Sequence, residues 1–252
     1  MTLQQIFITG ASSGIGAALA ELYARQHGAA LTLGLVARRA ERLALLAERL
    51  RGLGARVLCY PADVRERERM AEVARAFASA AGGVTLAIAN AGLSRPDDLP
   101  AGDAAAAAEV VTINVAGVLH TLMPLLPTLI AQGSGHVVAI GSVAGFLGLP
   151  GKGAYCASKA AVKTLMDAWR PELRRHGVRV STICPGWVAS EMTAANPYAM
   201  PFLLDTPRAA RLIARAIARG RGTYVFPWQM RLALPLVRML PERLLLSYTV
   251  RR

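Results

Sequence analysis

The chain has little cysteine. Cys59, Cys156 and Cys184 make an odd total among 252 residues and form no CxxC pair. That argues against a disulfide framework and for a reducing compartment, so a cytoplasmic location is expected. The four histidines, His27, His120, His136 and His176, lack metal-ligand spacing, and no metal site is expected. Met1 to Phe7 has no charged region leading into an apolar stretch, so no signal-peptide pattern is present. No apolar run of membrane-spanning length escapes charges and prolines, which argues against a spanning helix.

Acidic residues are also scarce, and the formal net charge is +13. The excess is local. Residues 1–205 hold 19 basic and 15 acidic side chains, whereas 206–252 hold 10 basic side chains against Glu242 alone. Arg208, Arg211, Arg215 and Arg219 recur at helical spacing, the pattern of a solvated face or of an anion-facing surface. Aromatics are few, and the basic excess lacks interleaved aromatics on a predicted sheet face, so nucleic acid is not an expected partner.

With 54% apolar residues the chain can bury one sizeable core. Strand-like stretches fall near Leu3–Thr9, Leu31–Ala37, Arg56–Tyr60, Val84–Ala89, Gly135–Gly141, Val178–Cys184 and Thr223–Phe226. Between them, sets such as Leu43, Leu46, Leu50 and Met70, Val73, Phe77 recur at helical spacing. This alternation predicts an α/β domain: a Rossmann-type doubly wound parallel sheet of about seven strands with helices on both faces. Ala104–Ala108 is good helix sequence without chemistry.

The first predicted strand runs into Thr9-Gly10-Ala11-Ser12-Ser13-Gly14-Ile15-Gly16. Gly10 suits the tight turn, Gly14 a close backbone approach and Gly16 close helix packing. Such a strand-to-helix turn, with Ser12, Ser13 and Ile15, holds a dinucleotide pyrophosphate against a helix N-terminus. Cofactor choice is read at the end of the second strand, where a carboxylate would select NAD(H). Here the residues are Ala37-Arg38-Arg39. Two guanidiniums suit a 2′-phosphate, so NADP(H) is expected; otherwise they pair with Glu41 or simply start the next helix. Asp63-Val64 ends the third strand, where Asp63 either accepts from the adenine amine or caps a loop. Asn90-Ala91-Gly92 ends the fourth, with Asn90 placed to brace the sheet edge beside the adenine ribose.

Tyr155 and Lys159 stand in Y-C-A-S-K. Four apart on a helix, they share a face, and the ammonium can tune the phenol as a proton donor. Gly141-Ser142 precedes them. Such a set serves a carbonyl/alcohol redox step, because an oxygen that gains negative charge needs hydrogen-bond donors.

In order, T-G-A-S-S-G-I-G, A-D-V, N-A-G, N-V-A-G, I-G-S, Y-C-A-S-K and C-P-G-W-V make the chain resemble the single-domain short-chain dehydrogenase/reductases from Leu3 to about Phe226. The resemblance implies a catalytic tetrad at Asn114, Ser142, Tyr155 and Lys159, with Tyr155 and Lys159 also touching the cofactor. Asn114 would hold a relay water, although a polar residue in mid-helix can equally mark a kink or a core hydrogen bond. Further cofactor contacts are implied at Pro185, Gly186 and Val188. Ser190 stands where the family usually has threonine, with Thr193 behind it. A homo-oligomer, dimer or tetramer, is the family expectation.

Substrate contacts are expected from Ser142, Val143, Phe146, Tyr155, Trp187 and Met192. Ala144, Gly145 and Leu149 are expected on the wall with Val143 and Phe146, and Tyr198, Met200 and Phe202 in the long segment Trp187–Asp205. That set favours a hydrophobic carbonyl compound; the same side chains would also suit a subunit interface. Residues 1–226 are read as the catalytic domain. Residues 227–252 form a basic amphipathic extension, packed on the domain or a partner subunit, or lying on an anionic membrane surface. The expected activity is NADPH-dependent reduction of a ketone or aldehyde. The alternatives are dehydrogenation of a lipid-like or steroid-like alcohol, and a non-catalytic NADP(H) sensor or scaffold.

Overall fold

The computed structural model describes residues 4–102, 104–194, 196 and 199–239, with the Arg238 side chain excluded. Chain order is β1 (Gln4–Thr9), α1 (Gly14–His27), β2 (Leu31–Ala37), α2 (Ala40–Gly52), β3 (Arg56–Pro61), α3 (Arg67–Ala81) and β4 (Leu86–Ala89). A long helical run follows: α4 (Ala105–Val111), a π turn (Thr112–Ala116), α5 (Gly117–Leu122), a 3₁₀ turn (Met123–Leu125) and α6 (Leu126–Gln132). Then come β5 (Gly135–Ile140), a 3₁₀ turn (Val143–Phe146), α7 (Gly153–Arg174) and β6 (Val178–Pro185). The last elements are α8 (Glu191–Ala194), α9 (Thr206–Ala218), β7 (Thr223–Phe226) and α10 (Trp228–Met239).

All seven strands are parallel, in the order β3-β2-β1-β4-β5-β6-β7. The predicted strands agree within two residues at each end; Leu3 lies outside the described residues. Strand alternation divides the core between two faces. Ile6, Ile8, Leu33 and Leu35 point to the side covered by α1, α2 and α9. Phe7, Val36, Val137 and Ala139 point to the side covered by α3, α7 and the run from α4 to α6. That run, Ala105–Gln132, is apolar and long enough to cross a membrane, but Val118, Leu122, Leu125 and Leu129 bury its inner side in the second core. Its apolarity is that of a core helix.

Chain order reverses between β1 and β4, so the loops at their carboxyl ends separate and leave a crevice. The glycine-rich turn, Ala37, Asp63, Asn90, Ser142 and Pro185 all lie at or just past strand ends on that edge. The arginines of α9 are exposed while Ala209, Ala210, Ile213 and Ile217 are buried, which makes the arginine row a solvated face. Asp205 caps this helix, accepting from the Arg208 N–H at 2.7 Å. The described part of the C-terminal extension, α10, packs on the same domain: Leu234 is buried with Cys184 and Val225 against Val143 and Phe146. Residues 240–252 lie outside the described set.

Candidate active site

The glycine-rich turn is closed on itself. Gly10 (φ +65°) and Gly14 (φ +53°) occupy the left-handed region, which glycine adopts without strain. A Cβ on Gly10 would lie 2.8 Å from the Ala91 Cα, and one on Gly16 would collide with the Gly10 carbonyl. Asn90 ties the turn to β4, its Nδ2 donating to the carbonyls of Thr9 and Gly10, each at 3.1 Å. The brace role is thus visible in the side chain itself. Helix α1 starts at Gly14 with no acid in its first turn and no side-chain cap from Ser13, so its leading N–H groups remain available to an anion. These features fit a dinucleotide pyrophosphate.

The arginines after β2 divide their work, and neither pairs with Glu41. Arg39 folds over the turn: Nε and Nη2 donate to Ser12 Oγ at 3.2 and 3.0 Å, and Nη2 to Ser13 Oγ at 2.7 Å. Arg38 is largely exposed and reaches Asp63 at 3.8 Å. Arg42, one helical turn beyond Arg39, joins Glu191 of α8, as does Arg39. Two guanidiniums and two hydroxyls therefore converge beside the turn, a donor set suited to a phosphate. Asp63 is already engaged. Its Oδ1 accepts from the Arg65 N–H and its Oδ2 from the Arg65 guanidinium. Burial pushes this carboxyl up, but the Arg65 hydrogen bonds outweigh that and hold it below the usual range. It forms a loop turn; the residue before α3 is Glu66. Val64 is buried against Gly117, and its carbonyl is taken by His120 Nδ1 at 2.8 Å.

The redox centre is assembled by α7, the 3₁₀ turn after β5 and the π turn. Ser142 lies just past β5 and caps the 3₁₀ turn, accepting from the Ala144 N–H at 3.1 Å. It also faces Tyr155 closely enough to pull the phenol's pKa down. Burial raises the Tyr155 phenol, and the Ser142 hydroxyl pulls part of that shift back, so the phenol carries its proton at neutral pH. Lys159 is 5% exposed and donates to the Ile140 carbonyl at 2.9 Å. Burial lowers its ammonium to about 8.

Asn114 is fully buried and sits inside the π turn, where widened helix geometry often accompanies function. Its Oδ1 accepts from the Leu93 N–H at 2.8 Å, and its Nδ2 donates to the Leu93 carbonyl and to Ser158 Oγ, each at 2.9 Å. Ser158 in turn donates to the Tyr155 carbonyl at 2.7 Å. Both amide hydrogens of Asn114 are thus spent on fixing the strand-β4 loop to the Tyr155 turn. Gly92 closes the gap: a Cβ there would lie 3.2 Å from Asn114 Oδ1 and 3.5 Å from Lys159 Nζ.

After β6, a Gly186 Cβ would strike Met230 of α10. Val188 is buried and pairs with Leu204, closing the base of the long segment. Thr193 Oγ1 is consumed locally, donating to the Val188 carbonyl at 2.8 Å and accepting from the Ser190 N–H at 3.0 Å. Ser190 instead lies over the glycine-rich turn, its Cβ 3.5 Å from a Cβ placed on Gly14. Trp187 is half-buried, whereas Met192 and Phe202 are 46% and 52% exposed. Their exposure does not make an enclosed lining; Tyr198 lies outside the described residues. Ala144 and Gly145 depart from the expected wall, because a Gly145 Cβ would lie 2.8 Å from the Lys159 backbone. This close crossing turns them onto α7. Val143 and Phe146 keep the wall, backed by α10.

Three contributors carried no signal strong enough to single them out in the sequence. Arg42 shares its helix face with Arg39 at a spacing of three, a pattern that could have been read. Ser158 and Cys184 stand inside the Y-C-A-S-K and C-P-G-W-V motifs, but nothing there gave either a role of its own. Cys184 lies under the site, where burial pushes its thiol to about 12 against the pull of Lys159, and the thiol stays neutral.

A seven-stranded parallel sheet with a dinucleotide turn and this Ser–Tyr–Lys set defines a nicotinamide-dependent oxidoreductase. The model of the short-chain dehydrogenase family matches residues 4–200, and the chain belongs to that family. An uncharacterized oxidoreductase of Myxococcus xanthus is 37% identical over 97% of this chain and 95% of its own length. Among solved structures, a short-chain dehydrogenase/reductase from Burkholderia phymatum in complex with NAD has a TM-score of 0.84 at 29% identity, covering 93% of this chain and 92% of that one. A short-chain dehydrogenase from Sphingobium yanoikuyae in complex with NADPH has a TM-score of 0.81 at 27% identity, covering 95% and 97%.

Proposed function

We infer that the protein reduces a hydrophobic ketone or aldehyde to an alcohol with NADPH. The observation that carries this reading is the Tyr155 phenol, held in its proton-bearing form by burial, in the same site as Ser142 and the Lys159 ammonium. A neutral phenol is the form that gives a proton to the oxygen of a carbonyl under reduction. When bound, the reduced nicotinamide supplies the hydride. Tyr155 Oη gives the proton, and Ser142 Oγ offers a second hydrogen bond where negative charge develops. The Lys159 ammonium offsets the charge left on the phenolate. Asn114 fixes the helix that carries Tyr155 through Ser158. Both amide hydrogens of its side chain are spent, so the relay water implied by the resemblance would find an acceptor and no donor there.

Ser12, Ser13, Arg39 and Arg42 support NADPH over NADH, because a 2′-phosphate matches that donor set and no carboxylate ends β2. The apolar, partly exposed side chains of Trp187, Met192 and Phe202 in the segment after β6 support a hydrophobic substrate. The test is NADPH oxidation over a panel of carbonyl compounds with the native chain and Tyr155→Phe. Turnover of apolar ketones or aldehydes that collapses in the variant is the expected result. A variant that keeps the full rate, or a native chain that reduces no carbonyl in the panel, overturns it.

A further inference from the structure

Glu191 opens α8, about 150 positions along the chain from the arginines it meets. Both of its carboxylate oxygens are in use: Oε2 accepts from Arg39 Nη1 at 2.8 Å, and Oε1 accepts from Arg42 Nη1. The same Arg39 guanidinium donates to Ser12 and Ser13 in the glycine-rich turn. One carboxylate therefore sits in the donor cluster that the Proposed function assigns to the 2′-phosphate. The pairing is tight enough to hold the Glu191 carboxyl down at about 2 through the Arg39 and Arg42 hydrogen bonds, so it is an anion throughout the physiological range.

The pair is nevertheless built for exchange. The Arg39 and Glu191 side chains are 42% and 55% exposed, and exposed ion pairs add little to stability. A phosphate monoester brings more charge and three terminal acceptor oxygens to the same guanidiniums and hydroxyls. Nothing comparable is offered by a ribose 2′-hydroxyl, which carries no charge to displace a carboxylate.

We propose that Glu191 is an internal stand-in for the cofactor's 2′-phosphate, displaced from Arg39 and Arg42 when NADP(H) binds and left in place by NAD(H). Resting on the NADP(H) reading, this makes Glu191 a determinant of cofactor affinity supplied by the segment after β6. While Glu191 is in place, one of the two guanidinium charges is offset and α8 is tied to Arg39 and to Arg42 of α2. NADP(H) must break that tie, so its affinity is lower than the bare donor cluster would give.

Calorimetric titration of the native chain, Glu191→Gln and Arg39→Ala with NADPH, NADH and adenosine 2′-monophosphate tests this without reference to turnover. Glu191→Gln keeps the shape and removes the charge. It is expected to bind NADPH and adenosine 2′-monophosphate about three- to ten-fold more tightly, with NADH changed by less than about two-fold. Equal or weaker NADPH binding by Glu191→Gln overturns the proposal. So does a loss shared by NADPH and NADH, the mark of a residue that merely clamps the segment. A native chain that prefers NADH, with the preference unmoved by Arg39→Ala, would instead sink the cofactor reading itself. A native NADPH preference that falls in Arg39→Ala, beside an unchanged Glu191→Gln, would sink only the stand-in.

Discussion

Lys159 Nζ stands 5.8 Å from the centre of the Tyr155 ring, and its hydrogen bond runs to the Ile140 carbonyl at the end of β5. The buried ammonium thus lies close to the phenol ring, in surroundings where charges interact strongly. Burial brings the ammonium down to about 8 while it raises the phenol. As pH rises through about 8, the lysine loses its charge before the phenol loses its proton. Carbonyl reduction should therefore fall in kcat/KM on the alkaline side with an inflection near 8. Lys159→Arg cannot discharge in that range, so it should lack the inflection whatever its absolute rate. A pH profile of both proteins checks this, and an inflection shared by the variant would assign it to another group.

Ser142 caps the 3₁₀ turn by accepting from the Ala144 N–H and faces the Tyr155 phenol, whose pKa it lowers. Ser142→Ala removes the cap and the hydroxyl beside the phenol. The catalytic loss should be about 10²-fold in kcat, the usual cost of one donor at a developing oxyanion, with KM nearly unchanged. The lost cap should lower stability by about 1 kcal/mol. Ser142→Thr keeps the hydroxyl and should retain most of the rate. Steady-state kinetics and a denaturant melt separate the two effects.

Arg39 and Arg38 are adjacent in sequence but differ in placement. Arg39 lies on Ser12 and Ser13, whereas Arg38 reaches only toward Asp63. Arg39→Ala should therefore weaken NADPH use by about 10- to 100-fold in kcat/KM, the worth of a charge-assisted hydrogen-bond set, and leave NADH use almost unchanged. Arg38→Ala should cost less. Kinetics with each cofactor test the ranking, which fails if Arg38 proves the larger contributor.

The sheet was legible because its strands are continuous apolar runs between helices of clear period, as fully covered parallel strands are. The turn and Tyr155, Ser142 and Lys159 were legible because each chemistry depends on near neighbours in the chain. What stayed hidden depends on distant ones. Glu191 gains meaning only when the chain after β6 returns over α2. Ala144 and Gly145 read as part of the wall until the close crossing with α7 turned them inward. Asn114 left a kink, a core hydrogen bond and a site role open, and the structure shows the first two together: a π turn whose side chain is wholly spent on Leu93 and Ser158.

His136 lies at the second position of β5, almost completely buried. Ser181 Oγ donates to the Arg221 carbonyl, so at His136 Nε2, 2.7 Å away, it must accept. Nε2 therefore carries the proton of the neutral ring, and Nδ1 is buried with no partner among the described residues. Protonating Nδ1 would bury a charge and a donor with nothing to meet them. Burial, with help from the Arg179 charge, accordingly lowers this histidine to about 4. In the unfolded chain it titrates near 6.5. Between those values the unfolded state binds the extra proton, so stability is whole above about 6.5 and declines as pH falls toward 4. The decline amounts to on the order of 3 kcal/mol. His136→Gln offers a similar donor to Ser181 without a titrating ring. The variant should be less stable than the native chain at pH 7.5, and the gap should narrow by pH 5. Denaturant midpoints at the two pH values decide the matter: a gap that stays constant would show that His136 does not titrate between them.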